Sequence, residues 1–245
     1  MFLPLFDIDE EYGYQQRKIS SLFTPVMTIV IILCAIIFVY KEFFVKDVSA
    51  FYQKWGTSAY KLLSEEKGIM SYLSLITYAF LHSNIWHILG NLWFFFIFGN
   101  NVERKMGTIM FVLFYFSASA VAALVHMFVL HPEAMLGQAK ISSFSQLREL
   151  NVPLVGASGA ISAVLGAYLR YFPRNYVATL VLFFIITVIP VSASIFIGIW
   201  LAGQIINALI NTEANIAWFA HIGGFLYGYL FAMVYGGRNI VRYYE

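Results

Sequence analysis

Three stretches of this chain, 20–40, 68–101 and 175–212, contain no Asp, Glu, Lys or Arg at all. A helix needs about 20 predominantly apolar residues to cross the hydrocarbon core of a bilayer, and each of these runs reaches that length. Composition agrees: 60% of the 245 residues are hydrophobic and 11% are charged, against about 25% charged in a soluble domain. The expected fold class is all-α, a polytopic membrane protein built as a six-helix transmembrane bundle.

The first span is expected at 20–40, followed by a polar connection at 41–67. The second helix is placed at about 84–99, with 68–83 as a partly embedded approach. Glu103, Arg104 and Lys105 read as a tight charged turn leading to a third span at 107–130, and the fourth span covers 156–172. The uncharged run at 175–212 is long for one crossing and short for two. One crossing at about 192–210, preceded by a shallow apolar segment at 176–189, keeps the polar groups of the last span on the same side as those of the fourth. The sixth span is expected at 217–235. The resulting organisation is a short amino-terminal tail at 1–19, a membrane domain at 20–236 and a short carboxy-terminal tail at 237–245. Arg104, Lys105, Arg170, Arg174, Arg238 and Arg242 fall on the side of both tails, the excess expected of cytoplasmic loops.

A net charge of +2 without a basic cluster gives no footing for nucleic acid. The single cysteine, Cys34, excludes a disulfide framework within the chain and a thiolate zinc site. The start of the chain lacks the basic-then-apolar order of a secretory signal. No metal or other cofactor is implied.

Polar groups inside spans are costly and are functional candidates by default. They are few: His82, His87 and Asn91 in and before the second span, Ser158 in Gly156-Ala157-Ser158-Gly159 of the fourth, and His221 in the sixth. Helices two, four and six run in the same direction, and His87, Ser158 and His221 each fall within about the first turn. At about 1.5 Å rise per residue, they share one depth. Small residues recur every fourth position in the sixth span, at Ala220, Gly224, Gly228 and Ala232, and in the fourth at Gly159, Ala163 and Ala167. Such faces allow backbone-to-backbone approach of membrane helices, which brings Ser158 and His221 within hydrogen-bond reach.

A serine hydroxyl becomes a nucleophile when an adjacent imidazole takes its proton. With no carboxylate in the spans, this is a two-residue Ser158–His221 pair. Ser158 opens a helix, where free N–H groups favour developing negative charge, and His87 and Asn91, one turn apart, add donors for an oxyanion. Each residue also has a structural reading. Ser158 can be packing filler, His221 and the His87/Asn91 pair can be interhelical bridges, and two histidines can ligate haem or metal, although no carboxylate accompanies them. Ser162 could help hold the water a hydrolase needs. His126 and His131 read as structural.

These residues resemble the rhomboid intramembrane serine proteases. The likeness rests on the H-x-x-x-N of His87 to Asn91 with the earlier His82, on GASGAISAVLGAYL around Ser158, and on AHIGGFLYG around His221. It implies a Ser158–His221 dyad open to water from the outer face, an oxyanion site of His87, Asn91 and the Ser158 N–H, and a structural turn at Glu103 and Gly107. It further implies single-span transmembrane protein substrates, cut near the outer end of a helix rich in small or helix-breaking residues, with the fifth helix around Phe196 and Trp200 and the 211–216 loop as gate and cap. The sequence departs from the pattern in two places. Leu73-Ser74 stands where a Trp-Arg pair is often found, and Ser162 stands where some relatives carry a ring that stacks on the histidine, so His221 must be oriented by another group. The alternatives are a non-catalytic rhomboid-like protein that binds or chaperones membrane helices and, further off, a transporter or haem protein. The expected location is a bacterial-type plasma membrane with both termini cytoplasmic; the expected partners are the lipid bilayer and membrane-spanning substrates.

Overall fold

The computed structural model describes residues 2–8, 23–64, 68–138, 143–182, 186–210 and 216–237. Six long helices form the bundle: α1 (Pro25–Phe44), α5 (Ile85–Met106), α6 (Thr108–Leu130), α9 (Ser158–Tyr171), α10 (Ala193–Ile210) and α11 (Trp218–Tyr235). Between them lie the short helices α2 (Val48–Trp55), α3 (Ala59–Leu63), α4 (Ile69–Thr77), α7 (Pro132–Met135) and α8 (Phe144–Leu150). Three helices, α1, α6 and α10, are long and apolar enough to cross a membrane by themselves. On α1, Ile29, Ile32 and Ile36 are exposed while Met27, Val30 and Cys34 are buried. A helix apolar on every face belongs in lipid rather than water, and the protein is an integral membrane protein.

Helix α9 spans only 14 residues, ten of them buried. It sits at the centre of the bundle, touching α11, α5, α6 and α10. Its partnership with α11 is the tightest in the molecule, because glycines remove the side chains that would hold the two apart. A Cβ on Gly228 would lie 2.6 Å from Ala163 Cα, and one on Gly224 would run into the carbonyl of Gly159. Gly166 likewise admits the backbone of Phe225 and Tyr229. The interval of four places these residues on one face of each helix.

The structure moves several boundaries. Helix α5 continues through the residues expected as a charged turn, so Glu103 belongs to its last turn and is fully buried. The carboxylate accepts from the backbone N–H groups of Val26 (3.0 Å) and Met27 (2.9 Å). It thereby occupies the amino terminus of α1, where free donors and the helix dipole favour an anion. Lys41, expected in the first polar connection, is the buried end of α1; its Nζ donates to the carbonyls of His82 (3.1 Å) and Ser83 (3.2 Å). Glu103 is tolerated because it meets the free donors of a helix start, and Lys41 because it meets two backbone carbonyls, the Tyr52 hydroxyl and the Glu42 carboxylate.

The apolar segment expected at 176–189 takes the form of two antiparallel strands. Strand β2 (Tyr176–Leu182) pairs antiparallel with β3 (Ile186–Ser192), Val177 opposite Val191 and Thr179 opposite Ile189. Both strands are rich in β-branched residues, which suit a pleated surface, and Pro190 is accommodated because β3 is an edge strand. The other edge of β2 pairs with β1 (Phe2–Ile8), with a bulge between Pro4 and Phe6. Part of the stretch expected as a free tail is therefore a strand of the sheet. It is tied to the bundle at two levels: Trp93 Nε1 donates to the Pro4 carbonyl (2.6 Å), and the Asp7 carboxylate accepts from Asn101 and from the Tyr168 hydroxyl. Apart from Gly237, the carboxy-terminal tail lies outside the described residues, as do 9–19 of the other.

Candidate active site

The residues leading into α9 are held extended by two anchors. Leu154 exchanges backbone hydrogen bonds with Thr57, and the Gly156 N–H donates to the Tyr78 carbonyl (3.0 Å). Gly156 has φ +124°, a conformation open to glycine, and a Cβ there would lie 2.7 Å from His87 Nε2. Glycine thus lets the His87 ring stand directly over the chain beside Ser158, whose Oγ is 3.7 Å from the same point.

Ser158 is the first residue of α9 and is half-buried. His221, in the first turn of α11, places Nε2 2.8 Å from Ser158 Oγ. The Gly159–Gly224 approach one turn further in sets this distance, since both side chains leave the seam at its end. Close packing of the fourth and sixth spans thus has the consequence expected from their small residues.

The other nitrogen of His221 has a partner that sequence reasoning missed. Nδ1 lies 2.7 Å from Oε1 of Gln204 on α10. Gln204 Nε2 donates to the Trp200 carbonyl one turn back (3.3 Å), so the amide is turned with its oxygen toward the ring. An amide oxygen accepts, hence Nδ1 carries the proton and Nε2 offers a lone pair to the serine hydroxyl. Trp218 meets the His221 ring edge-on at 6.0 Å and Trp200 lies at 6.4 Å. These contacts answer the question left by Ser162, whose hydroxyl proton bonds back into its own helix at the Ser158 carbonyl (2.6 Å). Gln204 had a signal in the sequence: it is a strongly polar side chain inside an uncharged run.

His87 carries the opposite arrangement. Asn84 caps α5, its Oδ1 accepting from the His87 N–H (2.9 Å), which leaves Nδ2 to donate to Ser83 Oγ (3.2 Å). Ser83 Oγ is 3.0 Å from His87 Nδ1. A hydroxyl that accepts from Asn84 keeps its own proton and a second lone pair, so its bond with Nδ1 can run in either direction; the direction from Ser83 to Nδ1 leaves the proton on Nε2 of His87, which faces the space beside Ser158. Asn91, one turn deeper, is buried with Nδ2 unpartnered among the described residues. A buried amide donor without a partner is unusual and suits a site whose acceptor arrives with the ligand.

His82 is buried edge-on against His87, ring centres 5.1 Å apart, and its carbonyl accepts from both Lys41 and Tyr52. It walls the site and belongs to the loop that Lys41 fastens. Gly159, Gly224 and Gly228 lie in the α9–α11 seam, and Glu103 lies at the opposite end of α5, remote from Ser158. Phe196 packs on Phe94 and Phe98 of α5. The expected cap at 211–216 falls outside the described residues except for Ile216. Among the described residues no cluster of His, Cys, Asp and Glu could hold a metal ion.

The family model for the Rhomboid domain matches residues 70–238. RHOMBOID-like protein 12, mitochondrial, of Arabidopsis thaliana is 34% identical over 152 residues, covering 62% of this chain and 43% of that protein. RHOMBOID-like protein 1 of the same plant is 26% identical over 178 residues, covering 70% of this chain and 36% of that protein. The chain spans less than half the length of these curated relatives.

Proposed function

This chain belongs to the rhomboid family, and from that premise we propose that it is an intramembrane serine endopeptidase. The observation that carries the reading is the 2.8 Å separation of His221 Nε2 and Ser158 Oγ, both side chains being half-buried. His221 takes the hydroxyl proton as Oγ attacks a peptide carbonyl carbon. The carbonyl oxygen becomes an oxyanion and receives hydrogen bonds from His87 Nε2–H, Asn91 Nδ2 and the Ser158 N–H, the last left free by its place at the head of α9. Collapse breaks the C–N bond, and His221 returns its proton to the leaving amine. A water then gives its proton to His221, its oxygen attacks the acyl ester, and the acyl–Oγ bond breaks with the proton restored to Ser158. Water is the one co-substrate the sequence of steps requires.

The site lies near the ends of α5, α9 and α11, so a peptide bond reaches it only where a substrate helix unwinds close to the membrane surface. Single-span membrane proteins with small or helix-breaking residues at that depth are the substrate class. The basic residues Arg104, Lys105, Arg170 and Arg174 at the other end support a reading in which the site faces outward and both termini are cytoplasmic, and a bacterial-type plasma membrane is the proposed location. The test is cleavage of a single-span reporter by protein reconstituted in vesicles. Wild-type protein is expected to cut it, with Ser158→Ala and His221→Ala folded and inactive. Cleavage at the wild-type rate by either variant would remove the dyad, and no cleavage by any of them would point to a helix-binding protein instead.

A further inference from the structure

We propose that Gln204 is a positioning residue for His221, its side-chain oxygen fixing the imidazole as the Nδ1–H tautomer with Nε2 aimed at Ser158. The inference rests on the reading of Ser158 and His221 as nucleophile and base. A histidine can serve as a base toward Ser158 only if its facing nitrogen is unprotonated and its ring plane is held. Gln204 Oε1, 2.7 Å from Nδ1, supplies both constraints. Its own orientation is fixed by the bond from Nε2 to the Trp200 carbonyl, so the oxygen cannot exchange places with the amide nitrogen without losing that bond. Trp218 and Trp200 flank the ring, yet an indole N–H only donates and offers nothing to Nδ1.

A neutral amide also suits the surroundings better than the acid that usually completes such a triad. A carboxylate within a span carries a heavy desolvation cost, whereas the amide accepts the Nδ1–H without placing a net charge in the bundle. It orients the base and sets its tautomer, and it supplies less stabilisation to the imidazolium than a carboxylate would. The acceptor is carried by α10, whose buried residues are Ala193, Phe196, Ile197 and Ala208. Any outward displacement of α10 therefore withdraws the acceptor from His221 and leaves the Ser158–His221 pair without its third member.

Two measurements test the assignment on the purified full chain. In nitrogen-15 spectra of histidine-labelled protein, the His221 resonances, identified by their loss in His221→Ala, are expected to show a protonated Nδ1 and a bare Nε2. A wild-type His221 protonated at Nε2 overturns the proposal, whatever the variants do. The rate at which a fluorophosphonate probe labels Ser158 is expected to fall about tenfold in Gln204→Met, the factor that one neutral hydrogen bond is worth, with the thermal midpoint retained. Labelling of Gln204→Met at the wild-type rate overturns it. A wild-type protein that the probe does not label at all, with Ser158→Ala as the blank, overturns the dyad itself. The tautomer measurement distinguishes that failure, because it reads the Gln204 contact without any reaction.

Discussion

Helices α9 and α10 both flank α11, and they do so in opposite ways. Along α9 the two backbones touch: glycines at 166, 224 and 228 leave no room for even a methyl group against the facing helix. Along α10 the glycines are idle, since a Cβ on Gly198 or Gly203 would meet nothing within 4 Å. Ser158 and His221, the proposed nucleophile and base, ride on the first pair, and Gln204, proposed to orient the base, rides on the second. The rigid seam fixes the 2.8 Å contact that the chemistry needs, while the orienting contact depends on a helix with little anchoring. What is expensive to move and what is cheap to move are thus assigned to different neighbours of one helix.

The largest effect is expected in the seam. Gly228→Val forces side-chain atoms into Ala163, where backbone must shift, and overpacking of this kind costs about 1–3 kcal/mol or more. A clear fall in the thermal midpoint in detergent, with loss of activity, is the expected outcome; an unchanged midpoint would mean that the helices are not in backbone contact. A smaller effect is expected at Ser83, which stands on an exposed turn with its hydroxyl 3.0 Å from His87 Nδ1. Ser83→Ala leaves stability unchanged and slows substrate cleavage by about tenfold, the worth of one hydrogen bond; an undiminished rate would detach Ser83 from the site. The smallest is at Gly203 on α10. Gly203→Ala is expected to leave cleavage intact and to stabilise the helix by up to about 1 kcal/mol, and destabilisation there would show that α10 is packed as tightly as α9.

The bundle and the meeting of Ser158 with His221 were legible in the sequence because both follow from the cost of polarity in lipid. Charge-free runs define spans, and Ser158, His221, His87 and Asn91 stand out against them. The four-residue interval of glycine and alanine added the contact that joins two of these groups. The sheet was not legible, because β2 and β3 form one continuous apolar run whose β-branched content competes with its helical length, and because β1 is paired with a segment far along the chain. Glu103 and Lys41 were misplaced for a related reason: a charge in sequence reads as a helix boundary, and only the fold reveals the amino terminus of α1 waiting for the carboxylate. Gln204 obeys the same rule that singled out Asn91, and its partner became visible only once α10 was set beside α11.

The most direct test of the central claim is to treat the purified protein with a fluorophosphonate, digest it and locate the adduct by mass spectrometry. An adduct on Ser158, formed in wild-type protein and absent when His221 is replaced by alanine, is the result the account predicts. An adduct on Ser158 that forms equally fast without His221, or one found on another serine alone, would contradict it.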